Sequence, residues 1–298
     1  MKGGCMKAPV QTNFKNTHSA SYLARDIAQY FNKGSAIESK IETTLNTLRE
    51  TTGVRGLKQI DSQIIEAYVS VLQDKVENSE LSRHTAETYV SALNRIIEYT
   101  NTHLNKNLET VSQKEAQLSR GSFEYKNRSV SANTHNSFLS FLQEKNDIKS
   151  QSLQFSVMLQ REFGLRLRES LAIKQTTIQQ AFKNGYLHLT GQDGTKNGRS
   201  RDIPIRTEAQ KELLKSILDF QKENNLKSLA PTTHLREQYS FAKNMQNTFN
   251  KTHDEYYHFH GERHAYAQQR LSEGASKIEV SRELGHNRQE VTKTYANI

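Results

Sequence analysis

The 298-residue chain has one cysteine, Cys5. A single thiol cannot build a disulfide framework or a cysteine-based zinc site within one chain, and so little cysteine fits a reducing compartment. Long apolar runs are missing too. No stretch is long enough to cross a bilayer, and Met1 to Val10 lacks the apolar core of a secretion signal. The expectation is therefore a cytoplasmic protein with no membrane partner. Acidic residues are in deficit: 41 Lys and Arg face 32 Asp and Glu, a formal net charge of +9. A surplus of this size favours a polyanionic partner, nucleic acid before an acidic membrane surface, although plain solubility is the competing reading. Mean hydropathy is −0.80, polar yet short of a disordered composition, and the length suits one large domain or two ordinary ones.

Residues 1–16 carry Lys2, Lys7 and Lys15 with little apolar content, which predicts a loose basic arm. Helical periodicity then sets in. Tyr22, Leu23, Ile27, Tyr30 and Phe31 form one face, and Ile37, Ile41, Leu45 and Leu48 a second. Ile60, Ile64, Ile65, Tyr68, Leu72 and Val76 form a third, and Tyr89, Leu93, Ile96 and Ile97 a fourth. Four such segments suffice for a small helical bundle over residues 17–104. Ser82 reads as the N-cap of the fourth. Arg83, His84 and Thr85 then bring a cation, an imidazole and a hydroxyl to its first turn, where free N–H groups suit a phosphate; an ordinary capped helix carries the same residues. From Asn101 to Ser129 the apolar period is lost, and residues 105–130 read as a linker. Its Lys126 and Arg128 are candidate DNA-backbone contacts, or merely the charges of a solvated loop.

Residues 131–298 form the second region. Helices are expected after Ser131, from about Gln151 to the Phe163-Gly164 stop, over Glu208 to Phe220 and over Leu235 to Phe249. The last two read only as scaffold. Leu187 to Thr190 alternates like a strand, and Arg201 to Ile205 is a second short one whose Pro204 argues for an edge. Between them Asn197-Gly198 is a strong signal for a tight hairpin turn, with Lys196 just before it. The fold class is thus mainly α with a small β-hairpin.

Toward the end stand His260-Gly261-Glu262-Arg263-His264, then Leu284-Gly285-His286, then Tyr295. A His and an Arg one helical turn apart put two donors on one face. His260 and His264 have the spacing of a zinc-hydrolase pair, but that motif needs Glu where Gly261 stands and no third ligand is apparent, so neither a metal nor another cofactor is expected. A capping box at Ser276 and Glu279 predicts a short helix to Leu284, which leaves His286 in a turn between helices.

This stretch resembles the C-terminal signature of the tyrosine recombinases, the phage-integrase and Xer-type family. Further residues extend the likeness: Gly164-Leu165-Arg166 with Glu169 resembles the first arginine motif, and Lys196, Gly198, Arg201 and Pro204 match the lysine hairpin. The resemblance implies a helical DNA-gripping N-terminal domain, with Arg83 to Asn94 similar to its last helix, followed by a catalytic domain. It also implies an order of roles along the chain. Arg166 and Arg263 neutralise the scissile phosphate without a metal, and His286 donates to a non-bridging oxygen. His260 acts there too or accepts the tyrosine proton. Lys196 protonates the 5′-oxygen leaving group, and Tyr295 is the nucleophile that forms a 3′-phosphotyrosine. Arg168, Arg199 and Arg201 join the candidate DNA contacts.

The implied partner is double-stranded DNA with specific recombination sites, with room for accessory DNA-bending proteins; the setting is a bacterial cytosol or nucleoid, or a phage. Integration or excision of a mobile element is the expected biology. The alternatives are a type IB topoisomerase-like relaxing enzyme and a catalytically silent DNA-binding regulator. One departure stands out: the family has a hydrophobic residue directly before its second arginine, and this chain has Glu262. A carboxylate there repels DNA unless it turns away or pairs with a cation. Only Ala296, Asn297 and Ile298 follow Tyr295, a reach of at most about 11 Å. The expectation from that stub is a protein monomeric when free and tetrameric across two DNA sites.

Overall fold

A computed structural model describes residues 19–119, 127–232 and 234–286. The chain divides into two compact units, Met1–Ser122 and Phe123–Ile298. The first is helical: α1 (Ala20–Tyr30), α2 (Ser35–Thr52), α3 (Ser62–Glu77) and α4 (Arg83–Leu104). Small polar caps start three of them. The Tyr22 amide donates to Ser19 Oγ, the Ile64 amide to Asp61 Oδ1 and the Thr85 amide to Ser82 Oγ. The apolar stripes converge as their spacing requires, with Ile27, Ile41, Leu48, Tyr68, Leu93 and Ile96 all buried. Each such side chain contributes roughly 1.5–3 kcal/mol.

The second unit is built on α6 (Ile148–Phe163), preceded by α5 (Ala132–Gln143). Asp147 caps α6, taking the amides of Lys149 and Ser150, so the helix starts a little earlier than its apolar period suggests. After α6 come α7 (Leu167–Ala172), α8 (Gln175–Asn184), β1 (Tyr186–Leu189), β2 (Arg201–Pro204), α9 (Glu208–Glu223), α10 (Leu235–Thr252), α11 (Phe259–Ser272) and α12 (Lys277–Glu283). Helix α6 feeds two cores. Leu159 and Phe163 join Leu187, Leu189, Ile203 and Leu214 on the strand side. Leu153 and Val157 join Phe138, Phe249 and Tyr257 on the other. There the Tyr257 ring stacks on Phe138 at 3.8 Å between centroids.

The strands pair antiparallel, Leu187 opposite Ile203 and Leu189 opposite Arg201. The tight Asn-Gly hairpin does not form. Residues 190–200 fold instead into two 3₁₀ turns, Gly191–Asp193 and Lys196–Gly198. A local box outcompetes the two-residue turn: the amide and hydroxyl of Thr190 both donate to Asp193 Oδ2 at 2.9 Å.

Much of the stretch read as linker is packed. Residues 105–118 lie against α4 in the first unit, with Leu118 buried in its core. Two asparagines one heptad apart hold them. Asn94 donates to the Val111 carbonyl at 3.0 Å and accepts its amide at 2.8 Å; Asn101 does the same for Leu108 at 2.8 and 2.9 Å. Asn250 clasps Tyr257 in the second unit in the same way. An amide side chain matches a peptide group donor for acceptor, so each clasp replaces one rung of a missing strand partner. Asn94→Leu or Asn101→Leu is expected to cost roughly 1–3 kcal/mol, because each leaves a half-buried peptide group unpaired. Hydrogen exchange read by NMR should show the Leu108 and Val111 amides losing protection while those in the middle of α4 keep theirs.

Candidate active site

Helix α6 stops at Gly164, whose φ of 62° is the left-handed conformation. A Cβ at this position would also sit 2.5 Å from the Tyr266 ring and 2.9 Å from Leu284 Cδ2, so only glycine lets three elements meet. The chain turns through buried Leu165 and starts α7 at Arg166. The backbone amide of Arg166 donates to Glu169 Oε2 and its Nη1 to Glu169 Oε1, both at 2.7 Å. Glu169 is fully buried and also takes both Nη atoms of Arg201, at 3.0 and 2.6 Å. Burial alone would raise its pKa, but the hydrogen bonds and charge of Arg201, joined by Arg166 and Arg263, hold it down at about 2. Glu169 is thus a fixed anion that keeps two guanidiniums in place.

Helix α11 brings the next group. Arg263 is buried, and its guanidinium donates to the carbonyls of Gly164 and Leu284. Arg166 Nη2 reaches that same Leu284 carbonyl at 3.5 Å. The His286 ring stands 3.2 Å from Arg263 Nη2, Nε2 to nitrogen, in the turn that follows α12. His260 lies one turn before Arg263, its ring edge-on to His264 at 5.0 Å. The first turn of α11 is crossed by residues 128–130: the Val130 amide donates to the Gly261 carbonyl at 3.2 Å. A Cβ on Gly261 would lie 2.5 Å from Val130 Cγ2 and 2.8 Å from the Arg128 carbonyl. That close crossing is why glycine occupies the position where a zinc hydrolase has its glutamate.

Helix α12 is held by a second buried carboxylate. Glu283 accepts from the Tyr266 hydroxyl at 2.5 Å, from Arg270 at 3.4 Å and from Arg206. The His286 amide closes on the Ser281 carbonyl at 2.9 Å, which fixes the turn.

The electrostatics of the cluster are one-sided. Desolvation first, then the positive charges of Arg263 and Arg166, push His260 down to about 4 and His286 to about 3. Desolvation, then neighbouring His260 and His258, take His264 to about 3. All three imidazoles are neutral at pH 7, so each has one donor and one acceptor nitrogen. One nitrogen of each guanidinium reaches the Leu284 carbonyl, with the His286 imidazole beside the second and His260 one helical turn away, a set of donors that suits an oxyanion.

The sequence matches the model of the phage integrase family over residues 128–298. The chain belongs to that family, the tyrosine recombinases. Among curated proteins none matches it in sequence. Solved structures share its fold at low identity. The Tn1549 transposon integrase in complex with transposon right end DNA has 13% identity and a TM-score of 0.63, over 94% of this chain and 95% of that one. A lambda integrase dimer bound to a COC′ core site has 15% identity and a TM-score of 0.63, over 93% and 76%. The XerH site-specific recombinase bound to difH has 16% identity and a TM-score of 0.59, over 94% and 81%.

Of the six catalytic candidates in this recombinase, the structure brings together Arg166, His260, Arg263 and His286. Lys196 stands exposed on the 190–200 loop, and among the described residues no hydrogen bond or ion pair joins it to the others. Tyr295 lies outside the described residues, as do Lys126 and the arm over residues 1–16. Among the candidate DNA contacts, Arg83, His84, Arg128, Arg168 and Arg199 are exposed. The Thr85 hydroxyl is tied to Ser82 Oγ at 2.9 Å. Arg201 is corrected: it is buried on Glu169 and is no surface contact, because the carboxylate in the core needs a second cation. Glu262 is resolved as well. It turns away from the cluster and is fully buried on Arg161 and His135.

Sequence reasoning missed the contribution of α10. A cavity of about 640 Å³ opens beside Arg166 and His260, walled by Arg168, Arg236, Tyr239 and Lys243. Arg236, Tyr239 and Lys243 recur at helical spacing, which was the available signal; the helix read as scaffold because its apolar face is equally regular. Burial in this wall lowers the Lys243 pKa.

For the three histidines, the folded pKa lies below the ordinary value near 6.5. Between there and about 4 the unfolded chain binds more protons, so stability falls as pH drops through that window. NMR of the free recombinase should show the His260, His264 and His286 ring protons unmoved from about pH 8 down to 5.5, while an exposed imidazole titrates near 6.5. The thermal midpoint should decline below about pH 6.5.

Proposed function

We propose that the chain is an active site-specific recombinase that breaks and rejoins DNA through a 3′-phosphotyrosine, serving integration or excision of a mobile element. One observation carries this reading: Arg166 and Arg263 share the Leu284 carbonyl, with His286 beside the second guanidinium. A phosphodiester under attack becomes pentacoordinate and gathers charge on its non-bridging oxygens, and pre-placed charged donors stabilise that state without reorganising.

The Tyr295 oxygen attacks phosphorus, and its proton passes to a neutral imidazole such as His260. The P–O bond to the 5′-oxygen breaks, and Lys196 protonates that oxygen. The free 5′-hydroxyl of another strand then attacks the phosphotyrosine and returns the tyrosine, so phosphate bond energy is retained and no nucleotide cofactor enters. Lys196 must approach from its exposed loop when DNA is bound. Paired DNA sites and a tetramer formed across them complete the proposal.

Incubation with sheared host DNA, followed by denaturation and sequencing of protein-held fragments, should yield covalent adducts that reveal the site. Tyr295→Phe should abolish adducts while leaving DNA affinity nearly intact. Arg166→Ala and Arg263→Ala should each lower the cleavage rate by roughly 10²–10³, the cost of losing an oxyanion donor. Adducts persisting in Tyr295→Phe would move the nucleophile elsewhere. A two-site exchange assay, run beside supercoil relaxation, separates recombination from topoisomerase-like turnover.

A further inference from the structure

Glu262 directly precedes Arg263, yet its carboxylate is fully buried against α5 and α6. Oε1 lies 2.9 Å from His135 Nδ1 on α5, and Oε2 accepts from Arg161 Nη1 on α6 at 2.9 Å. The same Arg161 nitrogen donates to the Val130 carbonyl at 3.3 Å, and the Val130 amide donates to Gly261. One carboxylate therefore ties the first turn of α11 to two helices and to the segment crossing it. An apolar residue here would pack without direction. A carboxylate with two fixed partners sets the rotation of the helix about its axis.

We propose that Glu262 is a positioning residue for catalysis: clamped by Arg161 and His135, it fixes the rotation of α11 and so places Arg263 and His260 at the scissile phosphate. This rests on the phosphate-binding role of Arg263 proposed above. At about 6 Å from the helix axis, a turn of about 10° moves an atom by about 1 Å. Misplacement on that scale costs roughly 10²-fold in rate. Removing the carboxylate alone also leaves the half-buried Arg161 without its anion, whereas replacing the cluster with apolar residues does not.

The probe is the duplex recovered from covalent adducts of the unaltered protein. It is made in two forms, one with the natural scissile phosphate and one with a methylphosphonate there, which carries no charge for Arg263 to neutralise. Single-turnover cleavage is followed with protein in excess, below the thermal midpoint of each variant. Glu262→Leu should cleave the phosphate duplex about 10²-fold more slowly with DNA affinity changed by less than about threefold, and the deficit should shrink to less than about tenfold on the methylphosphonate. Glu262→Gln, which keeps the volume, should fall in the same direction and serves if Glu262→Leu does not fold. Glu262→Leu combined with Arg161→Leu and His135→Phe should regain stability but not the full rate. Cleavage within about threefold of the unaltered rate, or an equal deficit on both duplexes, would overturn the proposal. Arg263→Ala separates the two readings. If its own deficit is the same on both duplexes, the phosphate-binding role fails. If its deficit shrinks on the methylphosphonate and that of the Glu262 variants does not, positioning alone fails.

Discussion

Two guanidiniums meeting on one carbonyl repel each other, and the second unit is arranged around that repulsion. Like charges about 4 Å apart oppose each other by a few kcal/mol in a partly desolvated site. Arg166 and Arg263 both reach Leu284, and Arg201 lies behind them. The countercharge is supplied by Glu169, which takes Arg166 on one side and Arg201 on the other. Carbonyl oxygens at the end of α6 and after α12 do the rest. The bend at Gly164, the short α7 and the paired strands that bring Arg201 inward all follow from the need to hold cations together before any phosphate arrives.

The buried carboxylates share a logic. Glu169, Glu262 and Glu283 each sit on a different helix, and each binds arginine: Arg166 and Arg201 on Glu169, Arg161 on Glu262 beside His135, and Arg206 and Arg270 on Glu283. A lone buried carboxylate is costly, and a paired one is specific about geometry even where it adds little net stability. The histidines respond to the same field from the other side. Desolvation, with positive neighbours added to it, keeps them neutral at pH 7, so each retains one donor and one acceptor nitrogen.

The first four helices were legible because each has a full apolar stripe and three begin with a small polar cap. Ser276 and Glu279 marked α12 for the same reason. Helix α8 was not legible: Thr177, Ile178 and Ala181 are its only buried residues, too few to mark a period. The packing of 105–118 was hidden because it rests on Asn94 and Asn101 pairing with backbone, which leaves no hydrophobic pattern. In the 190–200 loop Asn197-Gly198 is the conspicuous turn signal, whereas the Thr190–Asp193 box that decides the fold there uses two residues common in any loop. In the site, Arg166, His260, Arg263 and His286 were legible through their order along the chain. The burial of Arg201 was not, since a basic residue beside a strand reads as a surface contact until its carboxylate partner is seen across the fold.

Sequence drift at the first turn of α11 is constrained to move in sets. Glu262, Arg161 and His135 lie on three helices and far apart in the chain, yet none is neutral to change while the other two remain. Among descendants of this chain the three positions should therefore covary: all ionic together, or all apolar together, with mixed states rare and short-lived. A lineage crossing between the two solutions passes through a less stable intermediate, which gives the ionic form a persistence unrelated to any advantage it has over the apolar one.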